Sequence, residues 1–214
     1  MNDILISLIW MIPAAYLLGS LPFSVWMGRI FFDKDVREHG SGNAGTTNVM
    51  RVLGVKAGIP VLILDMLKGW FAVTLSRFQT GIPEGDERWM LLSIGLGAAA
   101  VIGHIYPVFA GFRGGKGVAT IAGVCISLHP VATLLSLGVF IIVLLLFRYV
   151  SLGSIAAGIS FPLWIIFFPG TNYLSLKLFS VVAALLLLFT HRKNIKRLLK
   201  GEEKKADFLF REKE

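Results

Sequence analysis

The chain has 214 residues, 55% of them hydrophobic and only 16% charged, with 21 Lys+Arg against 13 Asp+Glu and a net charge of +8. A soluble domain carries about 25% charged residues, so this composition, with a mean hydropathy of +0.74, excludes an ordinary soluble globule and points to an integral protein surrounded by membrane lipid. The cations flank apolar runs in short loops instead of lining a basic stripe with interleaved aromatics, which excludes nucleic acid as a partner.

A helix needs about 20 apolar residues to cross the hydrocarbon core. In chain order, runs of that kind lie at 4–28, 58–79, 89–110, 131–147, 151–168 and 173–190, and a shorter segment, 118–130, ends at His129-Pro130. No Lys or Arg precedes Arg29, so the first run lacks the positive region of a signal peptide and reads as a retained helix. Loop 29–57 carries Arg29, Lys34, Arg37, Arg51 and Lys56, which places it in the cytoplasm. Loop 80–88 carries Glu84, Asp86 and Glu87 against Arg88 and belongs outside. Arg113 and Lys116 return loop 111–117 to the inside, and Arg192, Lys193, Lys196, Arg197 and Lys200 hold the C-terminal end there.

The segment 118–147 decides the count. As one helix it is about 45 Å long, too long for a core about 30 Å thick, and it sends the tail outside. A break at Pro130, which has no N–H to continue a helix, gives two short helices and restores the parity. The prediction is an all-α integral membrane protein of seven transmembrane helices, some short or broken, with the N-terminus outside and the C-terminus cytoplasmic. Lys177, on an outer segment, is the one cation that disagrees. One domain is expected over 1–200, and 201–214 reads as a charged, flexible cytoplasmic tail. Gly95, Gly97, Gly103, Gly153 and Gly158 within the spans signal tight helix packing.

Two glycine-rich islands interrupt the apolar text: Gly40-Ser-Gly-Asn-Ala-Gly-Thr-Thr-Asn-Val-Met-Arg51 and Gly111-Phe-Arg-Gly-Gly-Lys-Gly117. In the first, Ser41, Asn43, Thr47 and Arg51 surround glycines whose N–H groups approach a ligand unhindered. In the second, Gly114, Gly115, Lys116 and Gly117 lead into a helix starting near Val118, whose N-terminus favours an anion. It is not a Walker A loop, because Val118 stands where Ser or Thr is required. The competing reading of the first island is a tight turn between close-packed helices. A third polar stretch holds His191 and Asn194 one helical turn apart.

From Arg88 to Gly201 there is no Asp or Glu. That suits an anionic ligand and removes the carboxylates of a Mg²⁺ cage. The four histidines have no ligand spacing, and Cys125 is the only cysteine, so no metal, disulfide or cofactor is predicted. Asp65 and Lys68, i and i+3 within the second run, are expected to pair or to reach a polar cavity, since intramembrane charges are costly. A transporter is the rival class, but the polar residues gather at one membrane face and no inverted repeat is present.

Read together, Leu18-Gly-Ser-Leu-Pro22, Asp35-Val-Arg37, the first island through Gly54, Asp65-Met-Leu-Lys-Gly69, Gly103-His-Ile-Tyr-Pro-Val-Phe109, Phe112-Arg-Gly-Gly-Lys-Gly-Val-Ala-Thr120, Arg148-Tyr-Val-Ser-Leu152 and His191-Arg-Lys-Asn194 are similar to the motifs of the bacterial acyl-phosphate:glycerol-3-phosphate acyltransferases of the PlsY type. The resemblance runs from residue 15 to about 202. Arg113 stands where the family commonly has Lys, and the text after Glu203 has no counterpart. None of the histidines begins the His-x4-Asp motif of acyl-CoA and acyl-carrier-protein acyltransferases.

The resemblance implies a seven-helix enzyme of the bacterial inner membrane with its active site facing the cytoplasm. Its implied reaction moves a fatty acyl group from acyl phosphate to the sn-1 hydroxyl of glycerol 3-phosphate, giving lysophosphatidic acid and phosphate for phospholipid synthesis. An upstream acyl-phosphate-forming enzyme is the implied partner. By position, Ser41, His191 and Asn194 are the implied catalytic residues. Arg51, Lys116, Asn43, Thr47, Gly114, Gly115 and Gly117 are the implied substrate-binding residues. The expected chemistry is direct transfer, without a covalent acyl-enzyme.

Overall fold

The computed structural model describes residues 2–79, 81–167 and 172–210, with side chains from residue 9 onward. Ten α-helices are present among them: α1 Asn2–Ser20, α2 Phe23–Phe32, α3 Thr46–Leu53, α4 Val55–Thr74, α5 Glu87–Ile105, α6 Val118–Leu128, α7 Pro130–Phe147, α8 Val150–Phe167, α9 Leu174–Thr190 and α10 Arg192–Leu199. The chain clusters into two compact units. One is Met1–His129 with Tyr173–Leu176, and the other is Pro130–Asn172 with Lys177–Glu214.

Among the described residues, five segments are long and apolar enough to cross a membrane, namely Ile9–Phe32, Val55–Phe78, Glu87–Ala110, Pro130–Phe147 and Val150–Phe167. α9 and α10, bent by 61° at His191, make a sixth if counted together. Val118–Leu128 is apolar but has only 11 residues, about 17 Å of helix at 1.5 Å per residue. The break anticipated at Pro130 is present. α6 ends at Leu128, and His129 adopts φ −152°, ψ 83°, outside the helical region, as a residue before proline prefers. A second break divides the first run at Leu21-Pro22, where a continuous helix over 4–28 is expected from sequence.

In the first unit, α1 packs on α5 and α4 on α6 through glycines that bring backbones together. A Cβ on Gly19 would strike the Ala100 backbone, one on Gly103 the Tyr16 carbonyl, one on Gly69 the Thr120 carbonyl and one on Gly123 the Met66 carbonyl. Lipid is as apolar as a leucine side chain, so such close approach, not hydrophobic burial, drives association within the bilayer. Met11, Ala15, Ala72, Leu96, Ala99 and Ala100 form the resulting core. A second cluster, Val36, Val49, Ala57 and Val61, is built from loop and α3 residues against α4. Of the helix glycines named from sequence, Gly97 meets Val124, Gly153 meets Phe140 and Gly158 meets Leu187, whereas Gly95 has open space beside it.

In the second unit α7 and α8 are joined by a tight turn at Arg148, whose φ is +60°. Part of the tail, over 201–210, makes specific contacts with this unit. Glu203 accepts hydrogen bonds from Ser151 Oγ (2.7 Å), Asn194 Nδ2 (2.6 Å) and Arg197 Nε (2.8 Å). The Ala206 N–H donates to the Arg148 carbonyl at 2.7 Å, and the Arg148 guanidinium stacks 5.0 Å from the Phe210 ring. Residues 211–214 lie outside the described residues.

Candidate anion-binding site

The first island is a turn held by one side chain. Asn48, in the first turn of α3 and 2% exposed, accepts from the Ser41 N–H at 2.8 Å. It also donates to the carbonyls of Val36 (2.7 Å) and His39 (3.1 Å). Gly40 and Gly42 adopt φ of +66° and +72°, a left-handed backbone that other residues rarely adopt. The Ser41 side chain is exposed, while Asn43, Thr47 and Arg51 are half-buried. Gly45 begins α3 with no side-chain cap, so amides at the helix start point out of the turn.

A carboxylate braces the island from behind. Asp35 takes Arg37 in a fork (Nε 3.0 Å, Nη2 2.7 Å) and Arg29 at 2.9 Å. The Arg37 hydrogen bond, with help from Arg29, holds the Asp35 carboxyl well below the usual carboxylate range, and Asp35 in turn pushes the Arg37 guanidinium up. The other arm of Arg37 donates to the Ala110 carbonyl at 2.8 Å, just before the second island.

The second island is pinned from below by backbone bonds. The Gly114 N–H donates to the Ile105 carbonyl and the Gly115 N–H to the His104 carbonyl, both at 3.2 Å. Gly117, at φ +80°, begins α6 without a side-chain cap. The two islands meet at Gly115, where a Cβ would collide with the His104 imidazole and press on the Ala44 carbonyl at 2.7 Å. Lys116 is half-buried beside this contact. Glycines, uncapped helix starts and a lysine are thus gathered in the first unit, a composition suited to an anionic oxygen cluster.

His191 and Asn194 belong to the second unit. His191 is 3% exposed, and its Nδ1 lies 2.9 Å from the Leu187 carbonyl. A carbonyl only accepts, so Nδ1 is the donor in this contact. Asn194, 7% exposed, is oriented by Glu203. Burial alone would raise the Glu203 carboxyl, but the bonds from Asn194, Ser151 and Arg197 outweigh it and hold it below its ordinary value.

Several residues gain structural roles that the sequence reading did not assign. Asn48, Asp35, Arg37 and Ala44 shape the first island, His104 floors the second, and Glu203 with Ser151 orients Asn194. The Asp-x-Arg spacing at 35–37 was a usable signal, because a carboxylate two residues before an arginine favours a local fork.

The model of the family described as glycerol-3-phosphate acyltransferase matches residues 9–201. A glycerol-3-phosphate acyltransferase of Chlorobaculum parvum is 43% identical over 221 residues, covering 92% of this chain and 95% of that protein. One from Listeria monocytogenes is 44% identical over 209 residues, covering 97% and 98%. Among solved structures, an integral membrane glycerol 3-phosphate acyltransferase, PlsY, in its glycerol 3-phosphate form superposes with a TM-score of 0.83 at 37% identity, covering 95% of this chain and 98% of that one. Its lysophosphatidic acid form gives a TM-score of 0.80 at 36% identity with the same coverage. Matched by its family model over most of its length and by relatives above 40% identity, this chain belongs to the glycerol-3-phosphate acyltransferase family.

Proposed function

We propose that this protein transfers a fatty acyl group from acyl phosphate to the sn-1 hydroxyl of glycerol 3-phosphate, releasing phosphate and lysophosphatidic acid. The observation that carries the reading is the junction of the two glycine islands at Gly115, where only a residue without a Cβ fits between His104 and Ala44. The relatives' names and the ligands of the two similar structures support the acceptor and the product. The donor and the residue roles rest on the motifs.

Both substrates carry phosphate, so the first task is to hold two anions together. Arg51 and Lys116 clamp the phosphates, the amides of Gly114, Gly115 and Gly117 donate to phosphoryl or developing carbonyl oxygens, and Asn43 and Thr47 line the cradle. Fixed donors of this kind stabilise charge without reorganising as it develops. Ser41 aligns the attacking hydroxyl, and His191 and Asn194 serve the same reaction. The hydroxyl oxygen bonds to the acyl carbon, the bond from that carbon to the phosphate oxygen breaks, and phosphate leaves with the electron pair. Acyl phosphate is already activated, so no covalent acyl-enzyme intervenes. The hydroxyl proton passes to a substrate phosphate. His191 is the alternative acceptor.

The protein resides in the bacterial inner membrane with seven spans, α6 being the short one, and works from the cytoplasmic side with an acyl-phosphate-forming enzyme upstream. Purified protein in detergent, given acyl phosphate and glycerol 3-phosphate, tests the reading. Equimolar lysophosphatidate and phosphate are expected, with no acyl-Ser41 adduct after acid quench. Glycerol 3-phosphate flux into liposomes without product would overturn it in favour of a transporter.

A further inference from the structure

Asp65, Lys68 and His104 form a buried charged cluster that the proposed chemistry does not use. Asp65 is 2% exposed, Lys68 4% and His104 6%. Lys68 Nζ lies 2.8 Å from Asp65 Oδ1 and donates to the Leu21 carbonyl at 3.1 Å. That carbonyl sits in the break between α1 and α2, where no helical ladder continues. Lys68 also stands 5.7 Å from the centre of the Phe23 ring, on the far side of the break. His104 Nδ1 faces Asp65 Oδ1 at 3.6 Å, within Coulombic reach but beyond a hydrogen bond. The opposite edge of the same imidazole, Nε2, is what a Cβ at Gly115 would strike, and the His104 carbonyl holds the Gly115 N–H. A small cavity is lined jointly by Leu21, Phe23, Asp65, Lys68, His104 and Gly115.

A buried ion pair is a poor way to gain stability, since apolar residues of equal volume often do as well. Its placement decides its role. One end secures the broken first span and the other supports the loop that carries Lys116. We propose that Asp65, Lys68 and His104 are positioning residues for the second glycine island, fixing Gly114 and Gly115 against Ala44 so that the loop amides and Lys116 are preorganised for phosphate. The kinetic half of this inference rests on the acyltransferase reading. The structural half does not.

The double variant Asp65→Asn/Lys68→Met, which removes both charges without leaving one unpaired, is the test, with His104→Ala beside it. Full-length protein in detergent is followed by hydrogen exchange of peptides covering 111–117, by thermal melting and by initial rates against glycerol 3-phosphate. Positioning predicts exchange at Gly114 and Gly115 faster by at least about tenfold, well beyond the change that the melting point accounts for elsewhere in the chain. It also predicts a KM for glycerol 3-phosphate raised by about tenfold or more, with kcat falling further, as expected when a binding loop is displaced. A merely structural pair predicts wild-type exchange at 111–117 and a wild-type KM in the double variant. Unchanged exchange in the double variant and in His104→Ala overturns the proposal whatever the rates. Faster exchange in a protein whose wild type turns over neither substrate upholds it and sinks the acyltransferase reading instead.

Discussion

Asn48 organises the first island by satisfying three backbone groups with one amide. Losing it leaves the Val36 carbonyl buried without that partner, and each such loss costs about 1–3 kcal/mol. Asn48→Ala is therefore expected to lower stability by about 2 kcal/mol in a detergent melt or denaturant titration. Its acyltransfer rate should fall more than the folded fraction does, because Ser41 is no longer held. Asn48→Asp keeps the acceptor for the Ser41 N–H and loses the two donations, so it should recover the loop only in part. The sequence shows Asn48 among several polar island residues and gives no reason to separate it from Asn43. The distinction is burial, and burial depends on Val36 and Val49 packing on Ala57 and Val61. Residue types thus pointed to anion chemistry, while the split between supporting and ligand-facing side chains required the fold.

Prolines show at the level of elements how far local rules reach. Pro13, Pro60 and Pro162 lie inside continuous helices, whereas Pro22 and Pro130 stand at breaks. Pro130 was legible because a helix over 118–147 exceeds the bilayer and inverts the charge parity. Pro22 was not, because a run over 4–28 fits the bilayer unbroken, and the Leu21 carbonyl, left outside the helical ladder, is satisfied by Lys68 from 47 residues away. α3 was hidden for a similar reason, being an eight-residue helix inside a glycine-rich loop whose buried face is only Asn48 and Val49. In the tail, Glu203 finds its donors on α8 and α10, which a local reading of the charges does not reveal. Its folded carboxyl titrates below the unfolded value of about 4.3. The stabilisation is therefore complete above that pH and is lost as pH falls through the lower folded value. Glu203→Gln is expected to melt below wild type at pH 7, and the gap should close progressively below about pH 4 as the wild-type carboxyl protonates. A gap independent of pH would mean that packing, not charge, holds the tail.

At the scale of the whole molecule, composition was enough for an all-helical membrane protein, and the ordered motifs were enough for the family. The Gly115 junction was not readable, since it depends on Ala44, His104 and Gly115 meeting from three separate stretches of chain. The proposed topology has its own test. On a Cys125→Ser background, Glu84→Cys should react with an impermeant maleimide in intact cells, and Lys200→Cys should react only after permeabilisation. Labelling of position 200 in intact cells would refute the cytoplasmic C-terminus.

The claim on which the account turns is that the two glycine islands close on one another to make the phosphate cradle. The most direct measurement is the initial rate of lysophosphatidate formation by Gly115→Ala, with Gly95→Ala as control, since a methyl at Gly95 enters open space. With melting points matched, Gly115→Ala should lose about 100-fold or more in kcat/KM, while Gly95→Ala stays within about twofold of wild type. Wild-type kcat/KM in Gly115→Ala would contradict the account.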